Sequence, residues 1–258
     1  MSYKSRFLLL AVTCLMGLAG CASRGLSGRV LEVDRPQPGL ASLAGVSKGW
    51  SRGTWEPQNL PGKAATTYEQ VQVHGRLCLH AQAHSSASML RRKVVIDPIE
   101  LGNVKFSWHV PALIAAADLT RREGEDAPVR VVLAFDGDHD RLDFRTRAMF
   151  DLGEVLTGER PPYATLMYVW ENRQPRESLI INPRTDRIRK IVVESGGANL
   201  GRWLSYERDV VADYRRAFGE APGRLIGIAV ITDSDNTASS TEAHYGDLTL
   251  LSAIGKPL

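Results

Sequence analysis

From about residue 68 onward the chain is a succession of strand-length apolar runs, each closed by turn residues, and almost none has helical spacing. Residues 68–83 alternate, with Val71, Val73, Leu77, Leu79 and Ala81 on one phase and Gly75 permitting a bend or bulge midway. Further strands are expected at 93–96, 103–110, 129–135, 164–170, 178–182, 187–194, 224–232 and 246–251. Asp97-Pro98, Asp136-Gly137, Asn182-Pro183 and Gly196-Gly197 supply turn chemistry between them. One helix is expected at 206–218, capped by Ser205 and stopped by Gly219, and a shorter, weaker one around 113–120. Helices do not alternate with the strands, which argues against a doubly wound sheet. The pattern therefore predicts a mainly β, antiparallel, jelly-roll-like β-sandwich over residues 51–258.

The N-terminus has a different logic. Lys4 and Arg6 precede a nearly unbroken apolar run over residues 7–18. That run falls short of the ~20 apolar residues needed to cross a bilayer, so it reads as a signal peptide over residues 1–20. Leu18-Ala19-Gly20-Cys21 resembles the lipobox of bacterial lipoproteins. The resemblance implies cleavage before Cys21, acylation of its thiol and amine, and a stable membrane anchor. Ala22 after that cysteine implies, by the enterobacterial sorting rule, an outer-membrane protein facing the periplasm. Residues 21–50, rich in Gly, Ser, Pro and Ala, are expected to be a lipidated tether.

Of the three cysteines, Cys14 lies in the leader and Cys21 takes the lipid, leaving Cys78 in an apolar, strand-like setting. No disulfide is expected within the domain, and Cys78 reads as a buried thiol. A net charge of +3, part of it in the leader, gives no nucleic-acid footprint, and Arg91-Arg92-Lys93 and Arg215-Arg216 read as solvated faces.

Two acidic stretches hold the candidate chemistry. Asp136, Asp138 and Asp140 have D-x-D-x-D spacing, but Arg141 and Arg147 stand where an EF-hand needs Gly and Glu. Asp233, Asp235, Asn236 and Thr237, in Ile231-Thr232-Asp233-Ser234-Asp235-Asn236-Thr237, can serve a hard cation such as calcium, hydrogen-bond a sugar, or satisfy backbone amides in a turn. No cofactor is required by either. His74, His80, His84, His109, His139 and His244 are scattered, and no HExxH is present. Ser85, Ser86 and Ser88 have no evident base beside them. Trp108, Trp170 and Trp203 read as core, whereas Trp50 and Trp55, at the start of the domain, are candidates for exposure and sugar stacking.

An ordered set of short motifs resembles a known family. Ser107-Trp108-His109-Val110, residues 129–135, Tyr168-Val169-Trp170, Gly201-Arg202-Trp203, Arg208-Asp209-Val210, Asp213-Tyr214, Phe218-Gly219, Thr232–Thr237 and Tyr245-Gly246-Asp247 together resemble the bacterial domain of unknown function 3047 over about residues 50–253. Ser234 replaces the middle threonine of the family's T-D-T-D-N-T, and His109 stands where a longer polar side chain is expected. The resemblance implies a shared signature around Asp233, Asp235, Asn236 and Thr237, and no activity. The expectation is a non-catalytic envelope module binding a glycan or a protein partner. The alternative is a polysaccharide hydrolase or lyase using Asp233, Asp235 and the Asp136–Asp143 group.

Overall fold

The computed structural model describes residues 55–73 and 75–258. Cys21, the leader, the tether, Trp50 and His74 lie outside the described residues. Twelve strands and two α-helices follow in the order β1 (Glu56–Asn59), β2 (Thr67–Val73), β3 (Arg76–His84), β4 (Ala87–Ile96), β5 (Leu101–His109), β6 (Ala127–Phe135), α1 (Phe144–Thr157), β7 (Ala164–Glu171), β8 (Leu179–Ile181), β9 (Ile188–Ser195), β10 (Trp203–Asp209), α2 (Val210–Phe218), β11 (Leu225–Asp233) and β12 (Ser240–Ser252). They form two sheets, one ordered β1-β4-β11-β6-β7-β9-β8 and the other β10-β5-β12-β3-β2. All pairs are antiparallel except β7 with β9. The expected mainly β sandwich is therefore the fold.

The main core fills the space between the sheets, where Leu79, Val104, Trp108, Val131, Leu133, Phe135, Tyr168, Trp170, Val230 and Tyr245 are all buried. A second apolar cluster lies apart from it. Leu119, carried by the loop after β5, packs with Val132, Met167, Val169, Ile180, Val192, Ala229 and Ile231. Successive residues of one strand, such as Val131 and Val132, thus belong to different clusters. The seven-stranded sheet is covered on both faces, which is why its middle strands are continuous apolar runs instead of alternating ones.

Local expectations needed correction in four places. Residues 68–83 are not one bent strand but a hairpin, β2 and β3, whose turn places Gly75 at φ +76°. The helix begins at Val210, because residues 203–209 pair with β5 as β10. Leu204, Tyr206 and Arg208 are half-buried while Ser205, Glu207 and Asp209 are exposed, a period of two that cannot continue a helix. The cap is Asp209, which accepts the Ala212 amide at 2.9 Å, and Gly219 ends the helix in the left-handed region. No helix forms at 113–120; turns and a 3₁₀ segment at Arg122–Gly124 occupy that loop. The tryptophans also differ: Trp55 is buried against the main core, not exposed, and Trp203, expected in the core, is only half-buried.

Helix α1 (Phe144–Thr157) lies where the sequence pattern predicts no element. Asp143 caps it by accepting the Thr146 amide at 3.0 Å and the Thr146 hydroxyl at 2.6 Å, and Gly158 terminates it in the left-handed region. Its signature was legible, but the apolar residues fit no inward-facing stripe. Within α1 only Thr146 and Phe150 are buried.

Candidate functional site

The acidic signature lies at the end of β11, where Asp233 meets the first residue of β6. Asp233 Oδ1 accepts from the Ala127 amide and from Arg130 Nε, both at 3.0 Å, and Oδ2 accepts from Arg130 Nη2 at 2.8 Å. Burial pushes its carboxyl up to about 6, against the pull of the Arg130 guanidinium. Arg130 also donates to the Glu125 carbonyl at 2.8 Å. The Glu125 carboxylate in turn meets Lys190 Nζ at 2.8 Å, Arg184 Nη1 at 2.9 Å and Asn182 Nδ2 at 2.5 Å. Lys190 is fully buried, and desolvation, reinforced by Arg130, lowers its ammonium to about 8.

Asp126 organises the rest of the turn. It accepts from the Asn236 amide at 3.1 Å, the Thr237 amide at 2.7 Å and the Thr237 hydroxyl at 2.6 Å. Asn236 Nδ2 donates to the Arg122 carbonyl at 2.9 Å, and Asp235 pairs with Lys63. Oxygens of Asp126, Asp233 and Asp235 lie within 4.8 Å of one another, the spacing of a metal cage. Calcium, however, needs six to eight oxygens, and here the carboxylates already face Arg130, Lys63 and backbone or hydroxyl donors. The arrangement is a charge-balanced, amide-satisfying turn. It delivers the chain to Ser240, the first residue of β12, with the Ser239 carbonyl accepting from the Ser85 amide at 2.8 Å.

Asp136, Asp138 and Asp140 lie elsewhere. Asp136 accepts from the Gly137 amide at 2.9 Å and pairs with Arg224 at 3.0 Å. Asp138 caps a 3₁₀ turn through the Asp140 amide at 3.1 Å, and Asp140 is exposed. The pairings Asp233 with Ala127 and Leu225 with Phe135 put the two acidic groups at opposite ends of β6 and β11. At ~3.4 Å per residue their separation is about 25 Å. A glycosidase needs carboxyls ~5–9.5 Å apart, so the two groups do not form one catalytic pair.

The serines near residue 85 are also structural: Ser86 Oγ accepts the His84 amide at 3.0 Å and Ser88 Oγ the Thr66 amide at 2.9 Å. Cys78 is buried, and desolvation pushes its thiol up to about 11, far from a thiolate at neutral pH.

What the sequence did not reveal lies on the outer face of the five-stranded sheet. Strand pairing sets His80 (β3), His244 (β12), His109 (β5) and Trp203 (β10) directly opposite one another in a row across four strands. His80 and His244 stack at 4.5 Å with planes 6° apart, His109 meets His244 edge-on at 5.4 Å, and Trp203 follows at 5.6 Å from His109. Arg76 lies 4.5 Å above the Trp203 ring, donates to Ser107 Oγ at 2.8 Å, and faces Asp247 at 3.5 Å. Gly246 makes this possible: a Cβ there would stand 2.3 Å from Ser107 Oγ and 2.8 Å from Arg76 Nη2.

Beside the row a groove of about 240 Å³ is lined by Gln82, His84, Pro111, Ala112, Leu113, Ser240, Thr241 and Glu242. Glu242 Oε2 accepts from His80 Nε2 at 2.9 Å, and His84 Nδ1 lies 3.0 Å from Ser240 Oγ. Carboxylate, amide, imidazole and hydroxyl groups thus face an apolar wall of Pro111, Ala112 and Leu113. The sequence signal for this face is period-two spacing of polar residues, Arg76, His80, Gln82, His84 on one strand and Ser240, Glu242, His244 on another. Only pairing across more than 150 positions joins them.

Residues 53–249 match the family described as "Protein of unknown function (DUF3047)". No curated protein matches the chain. Among solved structures, the chain is similar to the xyloglucanase domain of NopAA, a type three effector from Sinorhizobium fredii, in complex with cellobiose. The identity is 9%, the TM-score 0.40, and the match covers 77% of this chain and 92% of that one.

Proposed function

We propose, from the premise that this chain belongs to the DUF3047 family, that the domain is a non-catalytic glycan-binding module of the bacterial envelope. In this reading an acylated Cys21 holds it on the outer membrane, facing the periplasm. The observation that carries the binding function is the groove beside the ring row on the five-stranded sheet. Sugars present hydroxyls on their edges and C–H groups on their faces. The groove matches both, with Gln82, His84, Ser240 and Glu242 for hydroxyls and Pro111, Ala112 and Leu113 for the C–H face. Its volume is below the ~300–1,000 Å³ of enclosed small-molecule pockets, so one unit of a longer chain is the fitting occupant.

The signature around Asp233 then has a supporting role. Asp126, Asp233 and Arg130 lock the turn that sets Ser240, Thr241 and Glu242 at the groove, without touching the ligand themselves.

The test is calorimetric titration of the purified protein with soluble peptidoglycan fragments and neutral oligosaccharides. Binding should weaken at least tenfold in Glu242→Gln and in His84→Ala, both exposed positions, with melting temperature retained. Binding that survives both substitutions, or an absence of binding to every glycan, sinks the proposal.

A further inference from the structure

Helix α1 carries a stripe that the domain does not use. Phe144, Leu152, Val155 and Leu156 are 79%, 58%, 81% and 63% exposed, and Met149 is exposed as well. Spacings of four, three and seven bring Phe144, Ala148, Leu152 and Val155 onto one face, with Met149 and Leu156 at its border. Five large apolar side chains on one fourteen-residue helix form a patch of the kind that marks an interaction site.

We propose that this face is a membrane-docking surface, seated in the headgroup and upper acyl region of a phospholipid bilayer. Two observations select that occupant. The first is where the described chain begins. Glu56 pairs with Arg91 on β4, and Arg91 holds Glu159, two residues past the end of α1, at 2.5 and 2.9 Å. Residues 21–50, expected to tether the domain to an acylated Cys21, therefore lead to the sheet edge where α1 ends. At the dimensions of a Gly- and Ser-rich linker, the expected tether reaches roughly 30 Å r.m.s., a length that keeps that edge within reach of lipid.

The second is the chemistry of the face. Arg145 lies within the apolar stripe, one residue from Phe144 and four from Met149, and Arg141 precedes the helix. Long basic side chains among apolar ones suit a helix lying in the interface, with guanidinium groups directed to phosphates. The carboxylates Asp151 and Glu154 sit on the flank toward Arg160, at 3.7 and 4.0 Å.

This inference rests on the lipid-anchored part of the proposed function and is independent of the glycan groove. A fluorophore that brightens in apolar surroundings is attached to the full mature chain in Leu152→Cys and, as a control, in Ile181→Cys. Position 181 is exposed on β8, the opposite edge strand of the same sheet. Cys78 is buried and does not compete for label. In vesicles of phosphatidylethanolamine and phosphatidylglycerol, the label at position 152 should shift to shorter wavelength and be quenched severalfold more by spin-labelled lipid than the label at 181. Adding Val155→Asp to the Leu152→Cys chain should reduce that quenching while the melting temperature is unchanged.

Equal quenching at the two positions overturns the proposal. So does a label at 152 that is shielded but not quenched by lipid, with the chain cross-linking to a second copy or another protein. Mass measurement of the N-terminal peptide separately reports acylation at Cys21. An unacylated chain beginning at residue 21 with Cys21→Ser, in which Cys21 no longer competes for label, is read by the same assay with vesicles added, so failure of the anchor and failure of the helix face are distinguishable.

Discussion

Arg130 is the residue on which the buried polar structure turns. It is 3% exposed, fills two oxygens of Asp233, and reaches the carbonyl of Glu125. Its neighbour Lys190 offers a measurable consequence. Desolvation takes the Lys190 ammonium from 10.5 to about 8 in the folded protein. Below pH 8 the folded state bears the cost of a buried cation. Between about pH 8 and 10.5 the unfolded chain holds a proton that the folded chain has released. The contribution of Lys190 to stability therefore rises with pH through that window. The urea-unfolding free energy of the wild type minus that of Lys190→Met should climb by up to about 3 kcal/mol from pH 7 to pH 10. A flat difference would show that the ammonium keeps its ordinary affinity for protons.

At the scale of elements, the boundary between β10 and α2 shows how pairing overrides local signals. Ser205 is a respectable cap by composition, and Tyr206–Phe218 contains good helical spacing. Pairing of Trp203 through Asp209 with β5 takes those residues into the sheet, and the cap passes to Asp209. Asp209→Ala should cost about 1 kcal/mol in unfolding free energy, whereas Ser205→Ala, at an exposed strand position, should cost a few tenths at most. Equal costs would return the helix start to residue 206. Helix α1 illustrates the reverse case. Its Asp143 cap and Gly158 stop were readable, but a stripe of apolar residues that faces outward looks, in sequence, like no amphipathic core helix at all.

For the molecule as a whole, the acidic signature is a joint between the two sheets. β11 belongs to the seven-stranded sheet and β12 to the five-stranded one, and residues 234–239 carry the chain between them. Asp126 and Lys63 bind that crossing from the side, through Thr237 and Asp235. Because arginine, lysine and amide donors already balance these carboxylates, stripping divalent cations with a chelator should leave the melting temperature unchanged. A downward shift on chelation, reversed by calcium, would show that a cation occupies the cluster formed by Asp126, Asp233 and Asp235.

The sequence by itself determined the β-rich class, most strand positions, the family signature and the expectation of a lipid-anchored N-terminus, because each is written in local spacing and side-chain chemistry. Apolar runs of six to nine residues, rich in Val and Ile and bounded by turn residues, are too short for most helices and read as strands wherever they later pair. Tertiary structure alone decided what meets what. It placed Asp126 against Thr237, parted Asp136 from Asp233 by the length of a strand, and aligned His80, His109, His244 and Trp203 from four distant segments. It also left the apolar face of α1 uncovered. The physical reason is that sheet register joins residues by long-range backbone pairing, and a shift of one residue in a strand would turn its side chains, those of the ring row included, to the other face.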